Sequence, residues 1–434
     1  MEMILISCFR LVKSDVSTSN CLEMTGRRPQ ATSTSVTVFR NCMLLRNHEI
    51  RREDLWVRDG IIIDPEPLFF DEQVGWNQEI DCGGVLIAPG LIDLQINGGF
   101  GVDFSYAIND QASAQESLVK VAKGILAHGV TSFCPTIVTS SQDKYHAILP
   151  WITPTPGSAE TGAEILGAHV EGPFIAVAKK GAHTEEYIRD LSGGSEAVEA
   201  MYGSLNNVRI ITLAPEHDPT GQVVRELCAK GISVSMGHSS ANLTHGETAA
   251  LNGATLITHL FNAMSAFHHR DPGLLGLLTS KMLHDKSVYY GIIADGIHTH
   301  PAALRMAYRT NFPAMCLVTD AICAMGLEDG TYHLGPQSIT VEGQRAVITG
   351  TDTLCGAIAT LFRAVQKLIK GARCSIVEAL EAASLHPAEA LGIQRKKGSL
   401  DFGCDADFIM INVDEMDLLS TWIGGKRVYK KPEG

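Results

Sequence analysis

The feature that most constrains the fold of this chain is the alternation of short apolar runs with stretches of helical spacing. Leu118, Val121, Ala122 and Ile125, for example, recur with the period of a helix face between two such runs. This alternation predicts a parallel sheet, and eight strand–helix units predict an α/β fold, a closed (β/α)8 barrel of the TIM type. The eight runs are LIDLQI (91–96), SFCPTIV (132–138), ILGAHVEG (165–172), VRIITLAP (208–215), SVSMGH (233–238), TLITHLF (255–261), YYGIIADG (289–296) and CLVTDA (316–321).

Four of these runs carry a polar side chain at or near their ends: Glu171, His238, His259 and Asp320. In a (β/α)8 barrel the carboxyl ends of all strands open onto one face, so these side chains are predicted to converge there. One glutamate and two histidines form a divalent-metal site with room for a water, as hydrolases require. The aspartate then stands where a base for that water is needed.

Each of these four residues also has a purely structural interpretation. A glutamate at a strand end is ordinarily a solvated loop residue, and His238 and His259 could be hydrogen-bonded core residues. Asp320 could only cap the helix that begins after it. Convergence of the four on one face favours the metal site.

Composition limits the classes of partner. Of 434 residues, 45% are hydrophobic and 19% are charged, as in an ordinary globular protein. A net charge of −13 argues against nucleic acid or an anionic membrane as the main partner, and an anionic substrate needs locally placed cations. The eleven cysteines are scattered, without a C-x-x-C pair, which favours a reducing compartment and predicts a cytoplasmic protein. The N-terminal MEMILISCF has no basic lead, and we expect no signal peptide there.

The chain exceeds the roughly 250 residues of one barrel. Residues 1–35 are predicted to be a flexible leader, and residues 89–396 to form the barrel. Short strands with turn signals occupy residues 36–88 and 397–434. We expect these two segments to form one small β-sandwich domain built from both chain ends.

Seven motifs occur along the chain in this order: APGLIDLQINGGFGVDFS, HVEGPF, KKGAH, MGHSS, THLFNAMSAFHHRDPG, ADGIHTHP and LVTDA. Together they resemble the N-acetylglucosamine-6-phosphate deacetylase family of the amidohydrolase superfamily. The resemblance extends from about residue 41 to about residue 428. It implies hydrolysis of N-acetyl-D-glucosamine 6-phosphate to D-glucosamine 6-phosphate and acetate, a step of amino-sugar catabolism and recycling.

The resemblance also implies residue roles. Asp320 is expected to act as general base and acid, and His183 as the partner of the substrate carbonyl. His298 is expected to contact the sugar and Arg270 the phosphate, for which an acidic protein needs a local cation. His268, His269 and His300 remain open between support of the site and plain surface. The further substrate contacts implied are Ala182, Asn262, Ala263, Leu354, Cys355 and Gly356.

The first apolar run departs from the wider superfamily. Many amidohydrolases have His-x-His there and hold two metals, whereas this chain has Gln95-Ile96-Asn97. Amides do not replace imidazoles as tight ligands, so one divalent ion per subunit is predicted, zinc first, with cobalt, iron or manganese as alternatives. Gln95 and Asn97 are expected to hydrogen-bond the floor of the site. The resemblance further implies a homodimer.

Two other functions fit the sequence less well. A dihydroorotase or hydantoinase relative commonly has a bridging lysine on the fourth strand, and VRIITLAPEH contains none. A catalytically dead scaffold would have lost Asp320 or a ligand, and all are present. An amino-sugar phosphate therefore remains the predicted partner, with neither nucleic acid nor membrane involved.

Overall fold

The computed structural model describes residues 35–73, 75–283, 286–334 and 337–432. The predicted flexible leader, residues 1–35, lies outside the described residues except for Ser35. No described helix is long and apolar enough to cross a membrane.

The described residues contain the predicted barrel of eight parallel strands. Each strand pairs in parallel with the next along the chain, from the first to the eighth. The predicted fold class is therefore confirmed. Barrel strands 1 to 8 are Leu91–Ile96, Val130–Val138, Ala168–Glu171, Val208–Leu213, Ser233–Met236, Leu256–Ile257, Tyr289–Ile293 and Met315–Val318.

The barrel closes between strands 8 and 1 through a few hydrogen bonds rather than a regular ladder. The Asp320 N–H donates to the Gln95 carbonyl at 2.8 Å, and the Asn97 N–H donates to the Ala321 carbonyl at 2.7 Å. The buried Asp93 carboxylate accepts the Thr319 hydroxyl at 2.6 Å. These contacts hold the end of strand 8, where the predicted acid/base Asp320 lies, against the end of strand 1, where Gln95 and Asn97 lie.

Helices follow most of the strands and bury one face against the barrel. The face predicted from Leu118, Val121, Ala122 and Ile125 is buried, as expected. Between strands 6 and 7 the described chain forms the 3-10 segment Gly273–Thr279 where a helix was expected. The α-helices are Pro65–Phe70, Phe104–Ala107, Gln111–Gly124, Gln142–Ile148, Gly194–Tyr202, Gln222–Ala229, Leu243–Leu251, Pro301–Asn311, Leu361–Ala372, Ile376–Glu381 and Leu385–Ala390.

Both chain ends build the predicted sandwich. Leu86–Pro89 pairs antiparallel with Phe408–Asn412, which joins the two ends in one sheet. Phe39 of the facing sheet meets Phe408 and Trp422 at ring-centroid distances of 5.1 Å each, so aromatic rings fill the space between the sheets. One sheet has the order Lys426–Lys430, Asp417–Ile423, Phe408–Asn412, Leu86–Pro89, Met43–Arg46, Glu49–Arg52, and the other Ile61–Ile62, Leu55–Arg58, Val36–Arg40, Gln78–Asp81.

A small antiparallel sheet follows barrel strand 8, where the sequence patterns predicted no strands. Its described strands are Gly330–Leu334, Gln337–Glu342 and Arg345–Ile348. Ile339 and other buried residues of this sheet pack against Cys355, which follows it. The sheet therefore supports the segment 354–356 that was predicted to contact substrate.

Candidate active site

The predicted site residues meet in one cavity at the carboxyl ends of the barrel strands. Its volume is about 270 Å³. Arg270 is the exception, since it is exposed on the loop after barrel strand 6 and is outside the lining. The predicted residues that line the cavity are Glu171, Ala182, His183, His238, His259, Asn262, Ala263, His298, Asp320, Leu354, Cys355 and Gly356.

Three of the site side chains lie where the backbone leaves its strand. Strands 5, 6 and 8 end at Met236, Ile257 and Val318, earlier than the apolar runs predicted. His238, His259 and Asp320 then have φ values of 47°, 28° and 49°. A non-glycine residue in this left-handed region costs about 1–3 kcal/mol, and such strain is typical of functional sites. The turns bring all three side chains to the cavity.

Glu171, His238 and His259 form a buried cluster whose geometry suits a metal ion. Glu171 Oε1 lies 3.2 Å from His238 Nε2 and 3.1 Å from His259 Nε2, and the two nitrogens are 3.0 Å apart. The Lys179 carbonyl accepts a hydrogen bond from His238 Nδ1 at 2.8 Å, which leaves a lone pair on Nε2 of the neutral ring. A lone pair and a carboxylate oxygen that face each other at this distance repel each other unless a proton or a metal ion binds them.

The charge of Glu171 fits the same role. Burial by itself raises the pKa of the Glu171 carboxyl, but the side chains of His238 and His259 outweigh that effect and hold the pKa well below its usual range. The glutamate is therefore an anion in a buried position. Glu171 is 2% exposed to solvent.

Gln95 and Asn97 hydrogen-bond the carboxylates at the floor of the site, as the sequence predicted. Gln95 Nε2 donates to Glu171 Oε1 at 2.9 Å and to Asp320 Oδ1 at 3.2 Å. Asn97 Nδ2 donates to Asp320 Oδ1 at 2.8 Å. Burial and the negative charge of Glu171 raise the pKa of Asp320, against the opposing bond from Asn97. These amides thus orient a carboxylate that is poised to take a proton.

Two histidines of the cavity, His183 and His298, each contact a polar side chain that the sequence patterns did not single out. His183 Nδ1 lies 2.7 Å from the Thr139 hydroxyl, and burial with the charge of His238 lowers the pKa of His183 to about 3. His298 Nδ1 donates to Asp295 Oδ2 at 2.6 Å. A carboxylate three residues before His298 was a usable signal for the second pair, whereas Thr139 follows barrel strand 2 without a recognisable motif.

The cavity lining holds few formal positive charges. No lysine or arginine is among the described residues that line it. His183 and His298 are the lining histidines outside the Glu171–His238–His259 cluster, and His298 is held by Asp295. Further lining residues that the sequence patterns missed are Asp103, Tyr106 and Thr184.

A second acidic cluster of the described residues already has a cation, the Lys397 ammonium, between its carboxylates. Glu164, Asp405 and Asp407 lie close enough to hold an ion. The Lys397 ammonium, however, is 2.8, 3.0 and 2.6 Å from these three carboxylates. The lysine occupies the position that a metal would take.

A (β/α)8 barrel with a buried Glu/His/His cluster and a carboxylate beside it defines a metal-dependent hydrolase. Residues 86–428 match the model of the amidohydrolase family. The chain belongs to this family, which is metal-dependent, and the buried cluster is able to bind a metal.

The chain is similar along almost its whole length to proteins of one name. It is 51% identical over 398 residues to N-acetylglucosamine-6-phosphate deacetylase of Danio rerio, covering 91% of this chain and 97% of the relative. The enzyme of that name from Pasteurella multocida aligns with a TM-score of 0.77 and 30% identity, over 90% of this chain and 99% of the other. A mutant of the Mycobacterium smegmatis enzyme, in complex with N-acetyl-D-glucosamine-6-phosphate, aligns with a TM-score of 0.75 and 26% identity, over 91% and 99%. The resemblance inferred from the motifs is thereby confirmed.

Proposed function

We propose that this chain hydrolyses N-acetyl-D-glucosamine 6-phosphate to D-glucosamine 6-phosphate and acetate. The observation that carries the proposal is the buried Glu171–His238–His259 cluster with Asp320 beside it in one cavity. Relatives about 50% identical over most of the chain have the name of this activity. Amide hydrolysis needs an activated water and a group that moves its proton, and the cavity offers residues for both.

In the proposed mechanism Glu171, His238 and His259 hold one divalent ion. Such an ion supplies Lewis acidity, which makes water a nucleophile near neutral pH. Asp320 takes the proton of the attacking water and returns it to the departing sugar nitrogen. Gln95 and Asn97 keep its carboxylate in place.

His183 is proposed to stabilise the negative charge that develops on the acetamide oxygen. Its side chain is only 7% exposed, so a hydrogen bond there is screened less by water than one at the surface. No covalent intermediate with the protein is required. His298, Asn262, Ala263 and the segment 354–356 are proposed to orient the sugar, as the resemblance implies.

The proposed metal content is one ion per chain, with zinc as the first candidate. The Gln95 and Asn97 amide nitrogens already donate to Glu171 and Asp320, and amides are poor ligands for transition metals. Elemental analysis of the purified chain tests this content. Two stoichiometric ions at full activity would contradict it.

The activity is tested by acetate release from N-acetyl-D-glucosamine 6-phosphate. The purified chain is expected to release acetate, and removal of the metal by a chelator to abolish the release until a divalent ion is returned. A metal-loaded chain that leaves the substrate intact would contradict the proposed function.

The chain is also proposed to form a homodimer, as the resemblance implies. Light scattering in the same buffer tests this.

A further inference from the structure

We infer that Thr139 is a positioning residue: it fixes the His183 ring in the tautomer with its proton on Nε2, so that His183 donates a hydrogen bond to the acetamide oxygen. This inference rests on the proposed function and specifies how one of its residues works. Thr139 is 2% exposed and directly follows barrel strand 2.

The partners of His183 Nδ1 determine where the proton of the neutral ring lies. The Thr139 backbone N–H points at Nδ1 at 3.4 Å, and the Thr139 hydroxyl lies 2.7 Å from the same atom. A backbone N–H only donates, so Nδ1 must present its lone pair. The proton is then on Nε2, which lines the cavity 3.9 Å from Glu171 Oε2.

The hydroxyl of Thr139 has one proton and two acceptors within reach. Because Nδ1 presents its lone pair to the Thr139 backbone N–H, the 2.7 Å contact has the hydroxyl as its donor, and the Glu171 backbone carbonyl at 3.4 Å is the more distant acceptor. Gly172 makes room for this arrangement, because a Cβ at that position would lie 2.2 Å from the hydroxyl oxygen. The packing therefore holds the hydroxyl against the ring.

The neighbouring His238 shows the opposite arrangement. Its Nδ1 faces the Lys179 carbonyl, which only accepts, so the proton is on Nδ1 and the lone pair on Nε2 faces the Glu171 carboxylate. The rings of His183 and His238 are only 4.4 Å apart. Two adjacent imidazoles thus have opposite tautomers, one suited to bind a metal and the other to donate to an oxyanion. His183 is therefore the hydrogen-bond donor and His238 a metal ligand, and the contact with Thr139 keeps His183 in the donor tautomer.

Substitutions at Thr139 test the inference in the metal-loaded chain. Thr139→Val removes the hydroxyl at nearly constant volume, and loss of one such hydrogen bond is expected to lower kcat roughly tenfold. KM and metal content should stay near their wild-type values, and Thr139→Ser should restore most of kcat. Thr131→Val is the matched control, since Thr131 lies on the strand that Thr139 follows, is also 2% exposed and is outside the cavity lining.

A double-mutant cycle separates positioning from general structural support. In a His183→Gln background, Thr139→Val should cause no further loss of kcat, because the ring on which it acts is gone. A further loss as large as in the wild-type background would overturn the inference, as would loss of metal in Thr139→Val alone.

Nitrogen-15 NMR of the imidazoles in the zinc-loaded wild-type chain decides the tautomer without relying on a variant that must fold. The signal assigned to His183, by its disappearance in His183→Gln, is expected to show a protonated Nε2 and a bare Nδ1. A proton on Nδ1 would overturn the inference. A wild-type chain that releases no acetate contradicts the proposed function, whereas the wrong tautomer in an active chain contradicts this inference alone.

Discussion

At the scale of single residues, the candidate metal ligands depend on one another. Glu171 Oε1 contacts both His238 Nε2 and His259 Nε2, and a lone imidazole beside a carboxylate forms a much weaker site than the full set. His238→Ala or His259→Ala is therefore expected to lose metal and acetate release together. Metal analysis and activity of the same preparation check this. His146→Ala is the control, because His146 is exposed and is not among the residues that line the cavity. Normal metal content and turnover in a ligand variant would show that other imidazoles bind the ion.

Asp320 is expected to be needed for turnover and not for metal binding. Asp320→Asn keeps the size and the contacts with Gln95 and Asn97, but an amide does not accept and return a proton. The expected loss in kcat is about two to four orders of magnitude, the usual range for general acid–base catalysis. Metal content should remain at the wild-type value. A loss of only a few-fold would move the acid/base role to another group.

The sequence predicted which side chains of the barrel face would meet, but not all of their partners. Parallel strands in a barrel share one face at their carboxyl ends, so Glu171, His238, His259 and Asp320 were bound to converge once they were placed at strand ends. The partner Thr139 has no such rule, because its 2.7 Å contact with His183 joins residues 44 positions apart, which no spacing along the chain encodes. Asp295 lies only three residues before its partner His298, so that pair could have been found from the sequence.

At the scale of elements, the ends of strands were the least predictable feature. Apolar character continues through Gly237 and Leu260, so the runs were drawn up to 238 and 261, whereas the strands end at Met236 and Ile257. The left-handed turn at His238 costs backbone energy that the surrounding packing must offset, and composition does not reveal it. The 3-10 segment Gly273–Thr279 was missed because its leucine-rich sequence also fits a helix.

The loop after barrel strand 6 carries the proposed phosphate contact. Arg270 is exposed there, and the described cavity lining has no lysine or arginine. A charge-assisted hydrogen bond is worth roughly 1.5–3 kcal/mol, so Arg270→Ala should lower kcat/KM for the phosphorylated substrate by about one to two orders of magnitude. Kinetics on unphosphorylated N-acetylglucosamine are the control and should hardly change. An equal loss on both substrates would make Arg270 structural and leave Lys179, Lys180 and His298 as candidates for the phosphate contact.

At the scale of the whole molecule, the two chain ends were predictable as one sandwich because both have short strands with turn signals. Their connection to the barrel was not predictable, since it depends on a buried ion cluster. Lys397 is 6% exposed and contacts Asp407 and Asp405 as well as Glu164, which precedes barrel strand 3. Burial raises the pKa of Glu164, whereas the carboxylates around Lys397 outweigh its burial and raise the pKa of the ammonium. One lysine thus links the barrel to the C-terminal strands.

Replacement of this lysine should make stability strongly dependent on pH. Lys397→Met leaves three crowded carboxylates in a largely buried site, and loss of one partner of a buried ion pair costs about 3–5 kcal/mol. Burial raises the pKa of Glu164 even beside the ammonium, and loss of that charge raises this pKa further, so the stability is retained at acid pH and lost as pH rises through the folded-state value of this group. Urea unfolding is therefore expected to show a large deficit against wild type near pH 8 that shrinks towards about pH 5. Lys431→Met is the matched control, because the Lys431–Asp417 pair is exposed, and it should change stability little at either pH. A deficit of Lys397→Met that is equal at both pH values would mean that the lysine stabilises the junction by packing of its alkyl chain rather than by its charge.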